Sequence, residues 1–149
     1  MATDIDLRAL VLGRGRDDLR DGVVVALALF ALTFAAYALG VLAIEGGVVL
    51  LARDAAIVGA IGAGWLGGWR TGLLPAWVVA YGALLGAHAD FVFRGLGRRP
   101  LVERLALFFE LDALGYLAVQ AVAVGSLAYG VGWLAGWAMD RVRAEGGRV

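Results

Sequence analysis

The chain has 149 residues, of which 62% are hydrophobic and 17% are charged, and its formal net charge is zero. Soluble domains are about 45–50% apolar, so the composition indicates an integral membrane protein. The neutral charge argues against a nucleic-acid partner, which would need a broad basic face. The lack of cysteine excludes disulfides, thiolate metal sites and cysteine nucleophiles. All thirteen basic residues are arginine, which favours a GC-rich genome such as that of a halophilic archaeon.

Two helices are predicted in the first third of the chain. A short one is expected over residues 3–12, where Thr3 is a suitable N-cap and Gly13 a suitable stop. The first membrane span is predicted over residues 22–44, which carry no charge. This segment has about the 20 residues that the hydrocarbon core of a bilayer requires.

The second and third spans are predicted over residues 48–69 and 72–90. The second has only fifteen uncharged residues between Asp54 and Arg70. Either it begins near Val48 and keeps its charged residues at the headgroup level, or it does not fully cross. Pro75 falls in the first turn of the third span, where proline is tolerated.

A loop, an amphipathic helix and a last span complete the chain. The loop covers residues 91–100 and is rich in arginine. The helix, over residues 101–112, has charged and apolar sides and is expected to lie in the membrane interface. The last span is predicted over residues 113–139, although the amphipathic helix could also run into it without a break.

The expected architecture is an all-α, four-transmembrane-helix bundle that forms a single membrane domain over residues 1–149. With both termini in the cytoplasm, eight arginines lie inside and five outside, which favours this orientation in the plasma membrane. The five tryptophans then gather toward the inner leaflet as an interfacial belt. The arginines of residues 91–104 disagree with this topology. If the second segment did not cross, they would be inside and the C-terminus outside.

Small residues at every fourth position predict close helix packing, because they let backbones approach one another in lipid. The candidate packing residues are Gly59, Ala63, Gly64, Gly67, Gly68, Gly82, Gly86, Gly132 and Gly136. Their density in the second span predicts that this helix lies at the centre of the bundle. Alternatively, its glycines break the helix and expose backbone that lines a substrate site.

Ionisable residues gather at the predicted outer end of the bundle, where they are candidates for a ligand or ion site. They are Arg53, Asp54, His88, Asp90, Glu110 and Asp112. The first hypothesis is that they lie at the headgroup level in mutual salt bridges, for example Arg53 with Asp90 or with Asp112. The second is a shallow pocket that binds a cation or a small polar ligand. No metal is predicted, since His88 is the single histidine.

The sequence predicts no enzyme and no cofactor. Ser126 is the single serine, and it is expected near mid-span, at a different depth from His88. We therefore expect a non-enzymatic structural or interaction component whose partners are the lipid bilayer and itself or another membrane protein. The alternative function is a transport-related subunit, or an oligomeric pathway for ions or small solutes.

Overall fold

The computed structural model describes residue 11, residues 16–42 and residues 52–146, with side chains over residues 20–42 and 52–144. Every regular element in this part of the chain is helical. The elements are α1 (Arg16–Ala38), α2 (Arg53–Trp69), α3 (Leu73–Asp90), a π-helical segment (Phe91–Gly95), α4 (Leu101–Phe108) and α5 (Leu111–Gly146). The all-α class is confirmed. The helix predicted over residues 3–12 lies outside the described residues except for Val11, which is helical.

Three helices of the described part are long and apolar enough to cross a membrane. They are Arg20–Ala38, Leu73–Gly95 and Leu111–Ala144. α2 has 17 residues, which corresponds to a length of about 26 Å. This is a few ångströms less than the hydrocarbon core of about 30 Å.

The first predicted span is displaced along the sequence, because α1 ends at Ala38 instead of near residue 44. Gly40 adopts a φ of 73°, and its N–H donates to the carbonyl of Tyr37 at 3.0 Å. The N–H of Val41 donates to the carbonyl of Ala36 at 2.9 Å. Left-handed glycine is a common terminator of helices, so Gly40 ends the helix several residues before the predicted stop.

A tight hairpin joins α2 to α3. Arg70 has a φ of 57° and Gly72 a φ of 115°. The Arg70 N–H donates to the Gly67 carbonyl at 3.0 Å, and the Thr71 hydroxyl donates to the Leu66 carbonyl at 3.2 Å. α2 is therefore continuous from Arg53 to Trp69, and the break that the glycines suggested is the turn that follows the helix.

The centre of the molecule is α3, which packs against α1, α2 and α5. Of its most apolar stretch 61% is buried, compared with 22% for α1 and 17% for α5. The prediction that the glycine-rich second helix lies at the centre is wrong. Five of the eleven buried residues of α3 are alanine, including Ala76, Ala80 and Ala83, and such small side chains also let neighbouring helices approach closely.

Glycines lie where two helix pairs meet most closely. Between α2 and α5, Gly132 faces the backbone of Gly64, and Gly136 faces that of Gly68. Between α1 and α3, Gly82 and Gly86 face the backbone carbonyls of Ala26 and Phe30. An added methyl group at Gly132 or Gly82 would overlap the opposing backbone. These contacts also give the directions: α1 runs parallel to α3, and α2 parallel to α5.

The four long helices alternate in direction along the chain, which defines two ends of the molecule. The hairpin end contains the turn at residues 70–72 and the C-terminal part of α5. The α4 end contains the last turn of α3, the π-helical segment and α4. Two boundaries differ from those predicted here. The expected loop over residues 91–100 is helical as far as Gly95, and α5 runs to Gly146 rather than to residue 139. α4 and α5 are separate helices, as the first of the two alternatives predicted.

Candidate functional site

An ion pair between a buried acid and a half-exposed arginine lies at the α4 end. Asp90, the last residue of α3, is 8% exposed. Its Oδ1 accepts a hydrogen bond from Nη1 of Arg94 at 3.2 Å, and the same nitrogen donates to the carbonyl of Tyr37 at 3.0 Å. Arg94 thus connects α3 to the C-terminal end of α1, where helix carbonyls lack partners within the helix.

Tyr37 connects this pair to α2. Its side chain is buried and packs with Ala55 and Ala56 near the start of α2. It also lies within electrostatic reach of the carboxylates of Asp54 and Asp90. Two of the six predicted site residues are therefore brought around one tyrosine, at a point where three helices meet.

Arg53 forms neither of the salt bridges that the sequence suggested for it. In the described part of the chain, the partner of Asp90 is Arg94, and Asp112 has no ion pair with Arg53. Arg94 was assigned to a loop, and its role was missed because the helix continues beyond Asp90. Their i, i+4 spacing would have indicated the pair once that continuation was known.

His88 attaches α4 to α3 rather than facing the ion pair. Its ring stacks on Phe108, with centroids 5.6 Å apart and 26° between the planes. Phe108 also contacts Phe93 at 5.5 Å, and Nη1 of Arg104 donates to the Phe93 carbonyl at 3.0 Å. Glu110 lies within electrostatic reach of His88. Four of the six candidates therefore form two local groups, Asp54 with Asp90 and His88 with Glu110. The other two, Arg53 and Asp112, are exposed outside both groups.

An open groove of about 190 Å³ runs between α3 and α5. Its walls are Trp77, Val78, Tyr81, Ala118, Ala121 and Val122. None of the six ionisable candidates lines it. Among the described residues, no group of three or more acidic or histidine side chains is arranged to hold a metal ion. The binding role of the six residues stays a prediction.

Ser126 lies far from His88. Its hydroxyl accepts a hydrogen bond from the indole N–H of Trp77 at 2.9 Å. Trp77 precedes His88 by eleven residues on the same helix, which corresponds to about 16 Å along the axis. Ser126 lies near the middle of α5, which spans Leu111–Gly146, and its hydroxyl is paired with Trp77 rather than with His88.

A second ion pair closes the hairpin end. Nη2 of Arg70 lies 3.3 Å from Oδ2 of Asp140, and the Arg141 guanidinium lies 3.9 Å above the ring of Trp137. Asp90 and Asp140, which each follow a pair of spaced glycines in the sequence, are thus at opposite ends. No protein-family model matches the sequence, and no curated protein or solved structure gives a significant match.

Proposed function

We propose that the chain is a multi-pass integral membrane protein with a structural or interaction role and no enzymatic activity. The observation that carries this proposal is the apolar outward surface of α1 and α5. Large side chains such as Leu27 and Leu32 on α1, and Leu127 and Val131 on α5, are exposed along much of each helix. Such a continuous surface suits lipid or another membrane protein rather than water.

The four-span arrangement is part of the proposal. The alternating directions of α1, α2, α3 and α5 are those of a bundle that crosses four times. The shortness of α2 is compatible with crossing, since a mismatch of a few ångströms costs fractions of a kcal/mol per ångström. Exposed Trp65 and Trp69 at the end of α2 suit an interface anchor.

The arrangement of charges favours a structural role over transport. Asp90 is paired with Arg94, and Asp140 with Arg70. The groove between α3 and α5 is apolar and leads to none of the ionisable candidates. A pathway for ions would instead require charged side chains along a water-filled space.

Single-cysteine labelling tests the number of crossings, because the parent chain has no cysteine. We expect labels at Gly15→Cys and Thr71→Cys on one side of the membrane, and at Gly97→Cys on the other. If Gly15→Cys and Thr71→Cys react from opposite sides, α2 does not cross and the four-span proposal fails.

A photo-reactive residue tests the interaction role in the native membrane. We expect a crosslinker in place of Leu127, on the outward face of α5, to give discrete protein adducts. The matched control is the same crosslinker in place of Leu84, which is buried in α3, and it should give adducts within the chain. Lipid adducts alone at Leu127, together with solute flux through reconstituted vesicles, would favour the transport alternative.

A further inference from the structure

The outer surface of α4 has an apolar face that the rest of the molecule leaves uncovered. We call it the α4 lipid face; it consists of Leu101, Val102, Leu105 and Phe109, all exposed. At about 100° per residue, these positions fall within one side of the helix. Their exposed fractions range from 41% at Leu105 to 78% at Val102.

The other two sides of α4 have different surroundings. Phe108 and Arg104 face α3 and the π-helical segment, through the contacts with His88 and Phe93. Glu103 is exposed on a third side of α4. A helix with one docked, one apolar and one acidic side suits the plane of a membrane interface.

Two arginines precede the α4 lipid face. Arg98 and Arg99 are exposed and lie in a turn held by backbone hydrogen bonds, from Gly97 N–H to the Arg94 carbonyl at 3.2 Å and from Arg99 N–H to the Leu96 carbonyl at 2.9 Å. Neither arginine forms an ion pair with any acid in the described part of the chain. The turn thus presents two positive charges beside the first turn of α4.

We infer that α4 and this turn bind the surface of a lipid leaflet that contains anionic phospholipid. The α4 lipid face lies at the acyl boundary, and Arg98 and Arg99 contact anionic headgroups. The charge pattern carries the assignment, because two exposed cations beside an apolar face complement anionic headgroups above acyl chains. The inference rests on the proposed membrane location.

Quenching by brominated lipid tests this inference at α4 itself. A Val102→Cys variant carries a single fluorescent label and is reconstituted into phosphatidylcholine vesicles with a minor fraction of phosphatidylglycerol. In one preparation the acyl chains of phosphatidylcholine are brominated, and in another those of phosphatidylglycerol. An attraction of about 1 kcal/mol between a basic residue and an anionic surface corresponds to an enrichment of about five-fold. We therefore expect brominated phosphatidylglycerol, compared mole for mole, to quench the label as if it were enriched about five-fold near α4 relative to phosphatidylcholine.

Two charge variants of the labelled protein separate this site from general attraction. In the Arg98→Gln/Arg99→Gln double variant, quenching of the label by each lipid should follow the mole fraction of that lipid, which means that phosphatidylglycerol is no longer enriched. The matched control Arg143→Gln removes an exposed arginine at the hairpin end and should keep the enrichment. Inorganic phosphate should lower the enrichment no more than chloride of equal ionic strength, since the occupant is lipid.

Several outcomes would overturn the inference while leaving the membrane location intact. One is equal quenching per mole by the two brominated lipids in the parent protein, and another is full enrichment in the double variant. No quenching by either lipid would mean that protein, such as a second copy, covers α4. Loss of the chain from the vesicle fraction would instead contradict the proposed function.

Discussion

α3 and α5 are both apolar enough to cross a membrane, yet they occupy opposite environments. Of the most apolar stretch of α3 61% is buried within the molecule, compared with 17% for α5. Both stretches have nearly the same mean hydropathy. Hydropathy therefore identifies a span but does not say whether the span lies inside the bundle or at its surface, because lipid tails are as apolar as a protein core.

The difference between the two helices lies in side-chain size on the contact face. α3 buries mainly alanine and glycine, whereas large side chains such as Leu127 and Val131 of α5 point outward. Small residues allow a central helix to meet three neighbours at short distance. The surface helix needs them only along the strip that faces α2 and α3.

The largest difference in the free energy of unfolding is expected when a buried alanine of α3 and an exposed alanine of α5 are each replaced by leucine. Ala80 of α3 is completely buried, so Ala80→Leu should lower the free energy of unfolding by about 3 kcal/mol through overpacking. Ala123 of α5 is exposed, and Ala123→Leu should change it by less than about 0.5 kcal/mol. Detergent-induced unfolding followed by circular dichroism measures both. Equal losses would mean that α3 is not the central helix.

Two glycines of α5 make the comparison within one helix. Gly132 lies against the backbone of Gly64, whereas Gly130 has no neighbouring atom where a methyl group would lie. Gly132→Ala should destabilise the protein by about 2 kcal/mol, since backbone cannot move aside as a side chain can. Gly130→Ala should be neutral or stabilise by up to about 1 kcal/mol through helix propensity.

The same unfolding measurement applies to both glycine variants. If Gly130→Ala proved the more damaging substitution, the packing of α2 against α5 would be wrong. Crosslinking at paired positions of α2 and α5 would then identify which face of α5 is in contact.

Much of this fold follows from the sequence. The apolar segments locate four helices, and the spacing of Gly82 and Gly86 marks a face that meets another helix. The central position of α3 was missed because its alanines, such as Ala80 and Ala83, carry no signal as distinct as that of glycine. The end of α1 was misplaced because either Gly40 or the later glycines could stop a helix, and local sequence does not choose between them.

The candidate site was less predictable than the fold. Sequence reasoning placed Asp90 and Asp54 at one end of the bundle, but it paired Asp90 with Arg53. The true partner, Arg94, depends on a helix that changes to π-helical geometry without a visible break in the sequence. The stacking of His88 on Phe108 depends on the angle at which α4 returns to α3, which residue spacing does not encode.

Removing the ion pairs at the two ends of the molecule should change the free energy of unfolding less than the packing substitutions do. Arg94→Gln would leave Asp90 buried without its charged partner, and should cost about 1–2 kcal/mol. This is less than the loss for a fully buried pair, since the side chain of Arg94 is 51% exposed and water screens part of the interaction. A double-mutant cycle with Asp90→Asn isolates the coupling between the two residues. A coupling indistinguishable from zero would contradict the structural role of the pair.

The smallest effect is expected at the hairpin end, where Arg70 and Asp140 are 39% and 65% exposed at their side chains. Asp140→Asn should lower the free energy of unfolding by less than about 0.5 kcal/mol, because the attraction of an exposed pair barely exceeds the entropy lost in ordering it. High salt should reduce even this difference. A loss as large as that of Arg94→Gln would mean that the pair at the hairpin end is as shielded from water as the pair at the α4 end, which would contradict the difference in exposure between Asp140 and Asp90.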